Sequence, residues 1–214
     1  MKKLYATMML CATALSPSYA QTGDTTEAET TVSQPSVWKY FGRIEYGGGI
    51  TAYQLSDATD KFTMIQGNAQ LGFNLPVVYL SKEASVGLSP NAGIEAPIFG
   101  EYGSMLSLYV PAYATIKYGT DATWSSTKNK VGFTAGIGYR YITGVFPSSG
   151  LTLSYGQPSY MLEVNFGKRR NSLLKVRFSG TFGEYKWVPE DAINDDDYVN
   201  FGNWALQLVF VPSY

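Results

Sequence analysis

The chain is built from runs in which every second side chain is apolar, and the clearest run closes the sequence. From Trp204 to Tyr214 the large apolar side chains fall on alternate positions, and Gln207 and Ser213 lie between them. A period of two indicates a β-strand with one apolar face. A terminal strand of this kind needs a partner, because chain ends fray and open strand edges invite aggregation. The pattern therefore predicts a sheet that closes on itself.

Seven further runs with the same alternation precede the terminal strand. They lie at about 38–54, 62–79, 84–99, 104–118, 130–143, 158–167 and 172–186. Eight is an even number, which lets an up-and-down antiparallel sheet close with both ends on one side. Pro76, Pro90, Pro97 and Pro111 fall inside these runs, and each removes a ladder donor, so we expect bulges or strand ends there. The prediction is an all-β, eight-stranded antiparallel up-and-down barrel.

The two faces of the runs give the barrel an orientation. One face is apolar across its middle, whereas the other carries Gly, Ser, Thr, Asn, Gln and charged residues. A water-soluble carrier barrel turns its apolar face inward, and a transmembrane barrel turns it outward. Small and polar residues suit a narrow lumen that side chains must fill, so we predict a transmembrane barrel. The expected lumen polar network comprises Arg43, Glu45, Glu95, Arg140, Glu163, Lys175 and Arg177.

The charges of this lumen network are nearly balanced, which suggests internal ion pairs. A turn centred near Arg169 would place Glu163 opposite Lys175 on the next strand, and Glu95 and Arg140 would form a second cluster. Facing opposite charges stabilise a sheet by roughly 0.2–1 kcal/mol. The network is either a gated solute path or a packed polar core, and a lumen of eight strands favours the packed core.

Aromatic residues on the apolar face collect near the two ends of the predicted strands. One group comprises Tyr40, Tyr79, Tyr118, Phe133, Phe166 and Tyr214, and the other comprises Tyr141, Tyr160, Phe182 and Trp204. Two such girdles are expected where a membrane barrel meets its two water interfaces. The same aromatics could instead fill the core of a soluble sandwich, but the absence of charge across the apolar face favours the membrane.

The beginning of the chain has the pattern of an export signal. Lys2 and Lys3 precede a short apolar run from Leu4 to Leu15, and Ser18-Tyr19-Ala20 is a small-x-small cleavage site. We therefore predict a cleaved signal peptide at 1–20, a flexible Thr-rich leader at 21–36 and one barrel domain at 37–214. The only cysteine, Cys11, lies within the signal peptide.

Composition excludes several classes of function. There is no histidine, so arrangements of Ser-His-Asp or Cys-His are impossible in this chain. Without Lys2 and Lys3, 14 basic residues stand against 17 acidic ones, so no nucleic-acid partner is expected. No cofactor, metal site or catalytic residue is predicted, and the chain is expected not to be an enzyme.

On this evidence the chain resembles the small eight-stranded outer-membrane barrels of Gram-negative bacteria. The resemblance covers about 37–214 and depends on the signal peptide, the strand count, the girdles and the aromatic terminal strand. It implies location in the outer membrane, contact with outer-membrane lipid and lipopolysaccharide, and handling by the barrel-assembly machinery. Members usually end in Phe or Trp, so Tyr214 departs from the pattern. Acylating and deacylating barrels of similar architecture rely on histidine, which this chain lacks.

The resemblance leaves the individual role open. We expect a structural, adhesive or envelope-maintenance protein; a narrow channel for small or apolar solutes and an accessory subunit of a secretion or uptake complex are the alternatives. The long turn at 119–130 is the best candidate for contact with a periplasmic partner. The stretches at 143–158 and 186–200 are expected to be external loops, and the acidic second one is expected to be a solvated surface.

Overall fold

The fold is a closed barrel of antiparallel strands. The structure, a computed structural model, describes residues 44–56, 61–99, 105–122, 130–147, 150–167, 172–188 and 199–212. The strands are β1 (Ile44–Ser56), β2 (Lys61–Phe73), β3 (Leu75–Ser81), β4 (Ala84–Phe99), β5 (Leu106–Gly119), β6 (Val131–Phe146), β7 (Leu151–Gly167), β8 (Leu173–Thr181), β9 (Tyr185–Trp187) and β10 (Val199–Val211). No helix in these described ranges is long and apolar enough to cross a membrane.

Closure comes from the pairing of the first strand with the last. β1 pairs with β10 from Tyr46 opposite Phe210 to Ser56 opposite Asn200, and the remaining strands follow in chain order. The short strands do not add positions to the barrel, because β3 continues the line of β2 against β4 and β9 continues that of β8 along β10. The described strands therefore occupy eight positions around the barrel, and the predicted eight-stranded antiparallel barrel is confirmed.

Alternation of burial follows the alternation of the sequence. Along β5 every second residue is buried from Ser107 to Gly119, and the residues between them are exposed. The exposed set is apolar and includes Leu108, Val110 and Ile116. Along the middle of the barrel, polar side chains therefore face inward and apolar side chains face outward, the reverse of a water-soluble domain.

The prolines produce bulges at some positions and regular pairing at others. The β2–β4 register shifts where Gln66 pairs with Pro97, and the β3–β4 register shifts after Pro76. Pro90 pairs with Ala112 and Pro111 with Arg140 without a register shift, so the expectation of a bulge at these two prolines was wrong. At each of them the sheet loses one donor but gains no extra residue.

Several strand boundaries differ from the sequence prediction. The second predicted run is interrupted at Asn74, whose side chain is buried. The seventh ends at Thr181 and resumes as β9 after Phe182–Glu184. The stretch at 143–158, expected to be a loop, is almost entirely strand, because β6 runs to Phe146 and β7 starts at Leu151.

The apolar core of the barrel sits at the end opposite to the chain termini of the barrel domain. We call the end that holds Ile44 and Pro212 the lower end and the opposite one the upper end. Near the upper end the inward residues are apolar: Tyr53, Leu55, Met64, Met105, Tyr109, Ile142, Leu153, Tyr155 and Phe201. Outward residues beside them include the exposed Gln54, Thr63, Thr152 and Ser154. The polarity of the two faces thus inverts towards the upper end, and this inversion explains why 151–157 did not match the alternation expected for a lipid-facing strand.

Candidate functional site

Among the residues that the structure describes, six buried charged side chains in the lower half of the lumen form one ion-pair network. We call it the lower cluster; its members are Glu45, Lys117, Asp121, Glu163, Lys175 and Arg177. Three cations and three carboxylates make the cluster neutral. Neutrality matters at this burial, because an uncompensated charge inside a protein costs several kcal/mol.

Arg177 on β8 organises one side of the lower cluster. Its Nε lies 2.6 Å from Glu163 Oε1, its Nη2 lies 2.7 Å from Glu45 Oε2, and its Nη1 donates to Asn91 Oδ1 at 3.0 Å. The three guanidinium nitrogens thus bond to side chains on three different strands, β7, β1 and β4. A planar group with donors in a fixed fork suits this role better than an ammonium would.

Lys175, two residues earlier on β8, organises the other side. Its Nζ lies 2.5 Å from Glu45 Oε1, 2.7 Å from Asp121 Oδ2 and 4.0 Å from Glu163 Oε2. The expected facing of Glu163 and Lys175 was wrong: Glu163 pairs in register with Arg177, and Lys175 pairs with Asn165. The observed register of β7 and β8 differs from the predicted one by two positions at every facing pair.

Asp121 reaches the cluster from a turn and not from a strand. Its Oδ2 lies 2.7 Å from Lys117 Nζ as well as 2.7 Å from Lys175 Nζ, so one carboxylate oxygen joins the two lysines. Thr120, Asp121 and Ala122 are all buried. Residues 120–122 therefore fold into the lower mouth of the barrel, at the start of the stretch 119–130 that the sequence predicted as a long periplasmic turn.

A second ion pair lies higher in the lumen and centres on the buried Glu95. Arg140 Nη2 lies 2.5 Å from Glu95 Oε1, and Thr51 Oγ1 donates to the same oxygen at 2.7 Å. Tyr53 Oη and Ser107 Oγ donate to Glu95 Oε2. The guanidinium also lies over the ring of Tyr109, at 4.6 Å from its centroid. Four donors on one carboxylate meet the requirement that buried charge be hydrogen-bonded.

Amide and hydroxyl groups link the upper ion pair to the middle of the lumen. Asn68 Nδ2 donates to Thr51 Oγ1 at 2.9 Å, and Gln207 Nε2 donates to Asn68 Oδ1 at 2.9 Å and to Tyr109 Oη at 3.1 Å. Tyr109 Oη in turn donates to Gln70 Oε1 at 3.4 Å. Side chains from β1, β2, β5 and β10 thereby bridge the lumen between the two charged clusters.

The described lumen is filled in layers from one end to the other. The turn at Asp121 and the lower cluster occupy the lower end, the amide bridge the middle, and the Glu95–Arg140 pair lies above it. The apolar core closes the upper end. This arrangement holds the described lumen charges in fixed pairs, so it can stabilise the barrel.

Six of the seven predicted lumen residues are described, and all six are buried: Glu45, Glu95, Arg140, Glu163, Lys175 and Arg177. The seventh, Arg43, lies outside the described residues. Lys117 was recognisable as inward by the alternation of β5, yet it was not among the predicted site residues. Asp121 carried no such signal, because a residue in a turn has no strand parity to reveal its direction.

The predicted girdle aromatics lie on the outer surface where they are described. Tyr118, Phe133 and Phe166 near the lower end are exposed, as are Tyr141 and Phe182 near the upper end, while Tyr79, Tyr160 and Trp204 are half-buried. Tyr40 and Tyr214 lie outside the described residues. Tyr118 and Phe133 are paired across β5 and β6, and the ring of Tyr160 lies 5.2 Å from that of Phe182.

The lower part of the outer surface also carries a shallow groove of about 540 Å³. It runs across β5 to β8 beside Tyr118 and Phe133, and its outward side chains include Leu162, Val164 and Phe178. A groove lined by apolar and aromatic side chains suits hydrocarbon better than water. Within the ranges that the structure describes, no group of three or more acidic residues is arranged to hold a metal ion.

Comparison with known proteins yields similarity of fold without similarity of sequence. No family model matches the chain, and no curated protein matches it. The solved structure of Neisserial surface protein A has 8% identity and a TM-score of 0.49, covering 80% of this chain and 97% of that one. Ail, the attachment invasion locus protein of Yersinia pestis, in complex with the heparin analogue sucrose octasulfate, has 12% identity and a TM-score of 0.41, covering 79% and 98%.

The N-terminal β-barrel domain of Pseudomonas aeruginosa OprF is also similar, with 12% identity and a TM-score of 0.36, covering 78% of this chain and 97% of that one. These three are small eight-stranded outer-membrane barrels. At identities this low the likeness is one of fold only.

Proposed function

We propose that the protein is a non-enzymatic barrel of the outer membrane, with a sealed lumen and a structural or adhesive role at the cell surface. The observation that carries this proposal is the interlocked lower cluster, in which three carboxylates and three cations neutralise one another inside the barrel. A barrel that conducts solutes needs a hydrated path, whereas these charges are bonded to one another across it.

Placement in the membrane is supported by the distribution of polarity on the outer face. Ile137, at the middle of β6, is 66% exposed, and its cross-strand neighbours Ala114 and Tyr160 are apolar and aromatic. A large exposed apolar belt is unfavourable in water and expected in lipid. With the lower end in the periplasm, the polar exterior around the upper core stands in the extracellular water. The N-terminal pattern read as a signal peptide supports export, and biogenesis would use the barrel-assembly machinery.

A non-enzymatic role is supported by the ion pairs in which the buried carboxylates are already engaged. Glu45, Glu95 and Glu163 each lie in an ion pair, and the chain has no histidine to act as a general base near neutral pH. The role is therefore assigned to the outer surface and the extracellular end. The apolar core supports the extracellular end, which would meet lipopolysaccharide, neighbouring cells or a partner protein.

Fractionation and conductance together test this proposal. The protein should sediment with the outer membrane, migrate faster before boiling than after it, and give no current steps above background in a planar bilayer. A trimeric porin reconstituted in the same bilayer is the positive control. Recovery in the soluble periplasmic fraction would contradict the membrane placement, and reproducible unit steps would contradict the sealed lumen.

A further inference from the structure

The geometry points to a latch at the lower mouth of the barrel: Lys117 and Lys175 form a binding site for a carboxylate, and Asp121 of the turn after β5 is its built-in ligand. This inference rests on the proposed sealed lumen and deepens it, because it names the group that seals the periplasmic end. The turn at 119–122, which we call the latch, would have to leave the mouth before the site could take any other carboxylate.

The first support is the charge that the strands alone leave in the lower lumen. Within the described ranges, Lys117, Lys175 and Arg177 come from strands, but these strands supply only Glu45 and Glu163 against them. The strand walls therefore carry an excess of one positive charge, which Asp121 cancels. An uncompensated charge at such burial is costly, so the carboxylate of the latch is the element that makes the closed lumen favourable.

The second support is that the latch is built to enter the mouth. Asp121 has a φ of +74°, a left-handed conformation that Asp tolerates better than most residues. Thr120 N–H donates to Val131 O at 3.3 Å, and Ala122 N–H donates to Gly119 O at 3.1 Å. The carbonyl of Thr120 also accepts from Asn165 Nδ2 at 3.5 Å. These bonds hold the turn against β6 and β7 with its carboxylate pointing at the two lysines.

The third support is a close approach between the latch and β6. A Cβ on Gly132 would overlap the carbonyl oxygen and the amide nitrogen of Thr120. Glycine at this position therefore leaves the space that the inserted turn needs. By contrast, a Cβ on Gly136 of the same strand would meet its nearest neighbours at 3.1–3.2 Å, which small shifts can accommodate.

Thiol labelling of the processed protein, without the predicted signal peptide and its Cys11, tests the latch in lipid vesicles. Ser85, which pairs with Lys117 and is fully buried, is replaced by Cys as a lower-lumen probe, and Ser159→Cys is the probe near the upper ion pair. With the native latch both thiols should resist an anionic methanethiosulfonate reagent added from the periplasmic side. Asp121→Asn keeps the shape of the side chain but removes its charge, and it should speed labelling at position 85 on the order of 100-fold.

Two features of the result separate the latch from general loosening. The anionic reagent should outpace its trimethylammonium counterpart at position 85, because the opened lumen carries the excess positive charge, and position 159 should stay protected. Glu83→Gln, an exposed carboxylate in the other described turn at this end, is the matched control and should leave labelling unchanged. Equal labelling at both positions would overturn the inference, since it would indicate an unfolded barrel.

A steric variant and chemical rescue show whether protection of the lower-lumen thiol depends on the seating of the latch and on the charge of its carboxylate. Gly132→Ala should release the latch without changing any charge, and Gly136→Ala is its control. In Asp121→Gly, which suits the positive φ, added acetate should slow labelling saturably by filling the site between the lysines, whereas acetamide should not. Acetate should also slow labelling in Gly132→Ala, because release of the latch leaves the site between the two lysines vacant.

The failures can be told apart. If the wild type gives no conductance but Asp121→Asn labels at the native rate, the latch is wrong and the sealed lumen stands. If the wild type conducts, the proposed function fails whatever the labelling shows. A slowing of labelling by acetamide equal to that by acetate would contradict the carboxylate site.

Discussion

Arg177 on β8 and Glu163 on β7 face each other in register, with 2.6 Å between the guanidinium Nε and the carboxylate Oε1. The same guanidinium bonds to Glu45 on β1. One side chain therefore links β7, β8 and β1 on the side of the barrel where β1 pairs with β10. Both side chains are buried, so each charge depends on its ion-pair partners for compensation.

Glu163→Gln should lower the free energy of unfolding by about 3 kcal/mol, because it leaves the lower cluster with one more cation than anion. Urea unfolding of the protein in lipid vesicles, followed by tryptophan fluorescence, measures the change. Glu83→Gln in the exposed turn should leave the unfolding curve where it is, as expected for a surface charge. A Glu163→Gln curve that coincides with the wild type would show that the cluster is not a structural element.

Glu95 and Arg140 should be strongly coupled in a double-mutant cycle. Each of Glu95→Gln and Arg140→Met leaves a buried charge without its partner, and the double variant leaves neither. We expect the double variant to be more stable than the sum of the single changes predicts, by at least about 1.5 kcal/mol. Additive effects would mean that the pair contributes through its separate hydrogen bonds alone.

The free-energy cost of an arginine on the outer face should depend on its depth in the bilayer. Ile137→Arg, at the middle of β6, should cost about 2–4 kcal/mol in a bilayer, whereas Val131→Arg at the lower end of the same strand should cost about 1 kcal/mol or less. Folding titrations into phosphatidylcholine vesicles measure both. Equal and small costs at the two depths would indicate that this face meets water.

Closure of the barrel should be sensitive to one glycine on β1. A Cβ on Gly49 would overlap the carbonyl oxygen of Leu206 on β10, while a Cβ on Gly48 would meet Asn68 O at 3.3 Å. Gly49→Ala should therefore reduce the fraction of protein that reaches the fast-migrating folded form on a gel without boiling, and Gly48→Ala should not. Identical fractions for the two variants would argue against the close β1–β10 seam.

The strands and their faces were predictable because alternation is a local signal. Glu45, Glu95 and Arg140 fall on the polar parity of long runs, and parity is enough to place them on one side of a sheet. The pairing of β1 with β10 was predictable for a different reason: an even number of strands that must leave no edge has only one simple closure.

The facing ion pairs, the inward turn and the apolar upper core depended on details that a strand pattern does not contain. A shift of two positions in the register of β7 and β8 placed Arg177, and not Lys175, opposite Glu163. The direction of Asp121 depends on a turn conformation, which alternation cannot specify. Leu153 and Tyr155 are apolar side chains that point inward, as they would in a water-soluble barrel. The sequence pattern expected for a lipid-facing strand therefore placed them in a loop beyond the membrane-spanning region.

Site-directed spin labelling of β5 tests the inside-out barrel most directly. Cys11 is the only cysteine, and it lies in the predicted signal peptide, so single labels can be placed at Leu108, Val110, Ala112 and Ala114 without another reactive thiol in the processed chain. All four side chains are exposed on the outer face. In lipid vesicles each label should collide more often with dissolved oxygen than with a water-soluble nickel complex. Collision with the nickel complex that equals or exceeds collision with oxygen at these four positions would contradict the account.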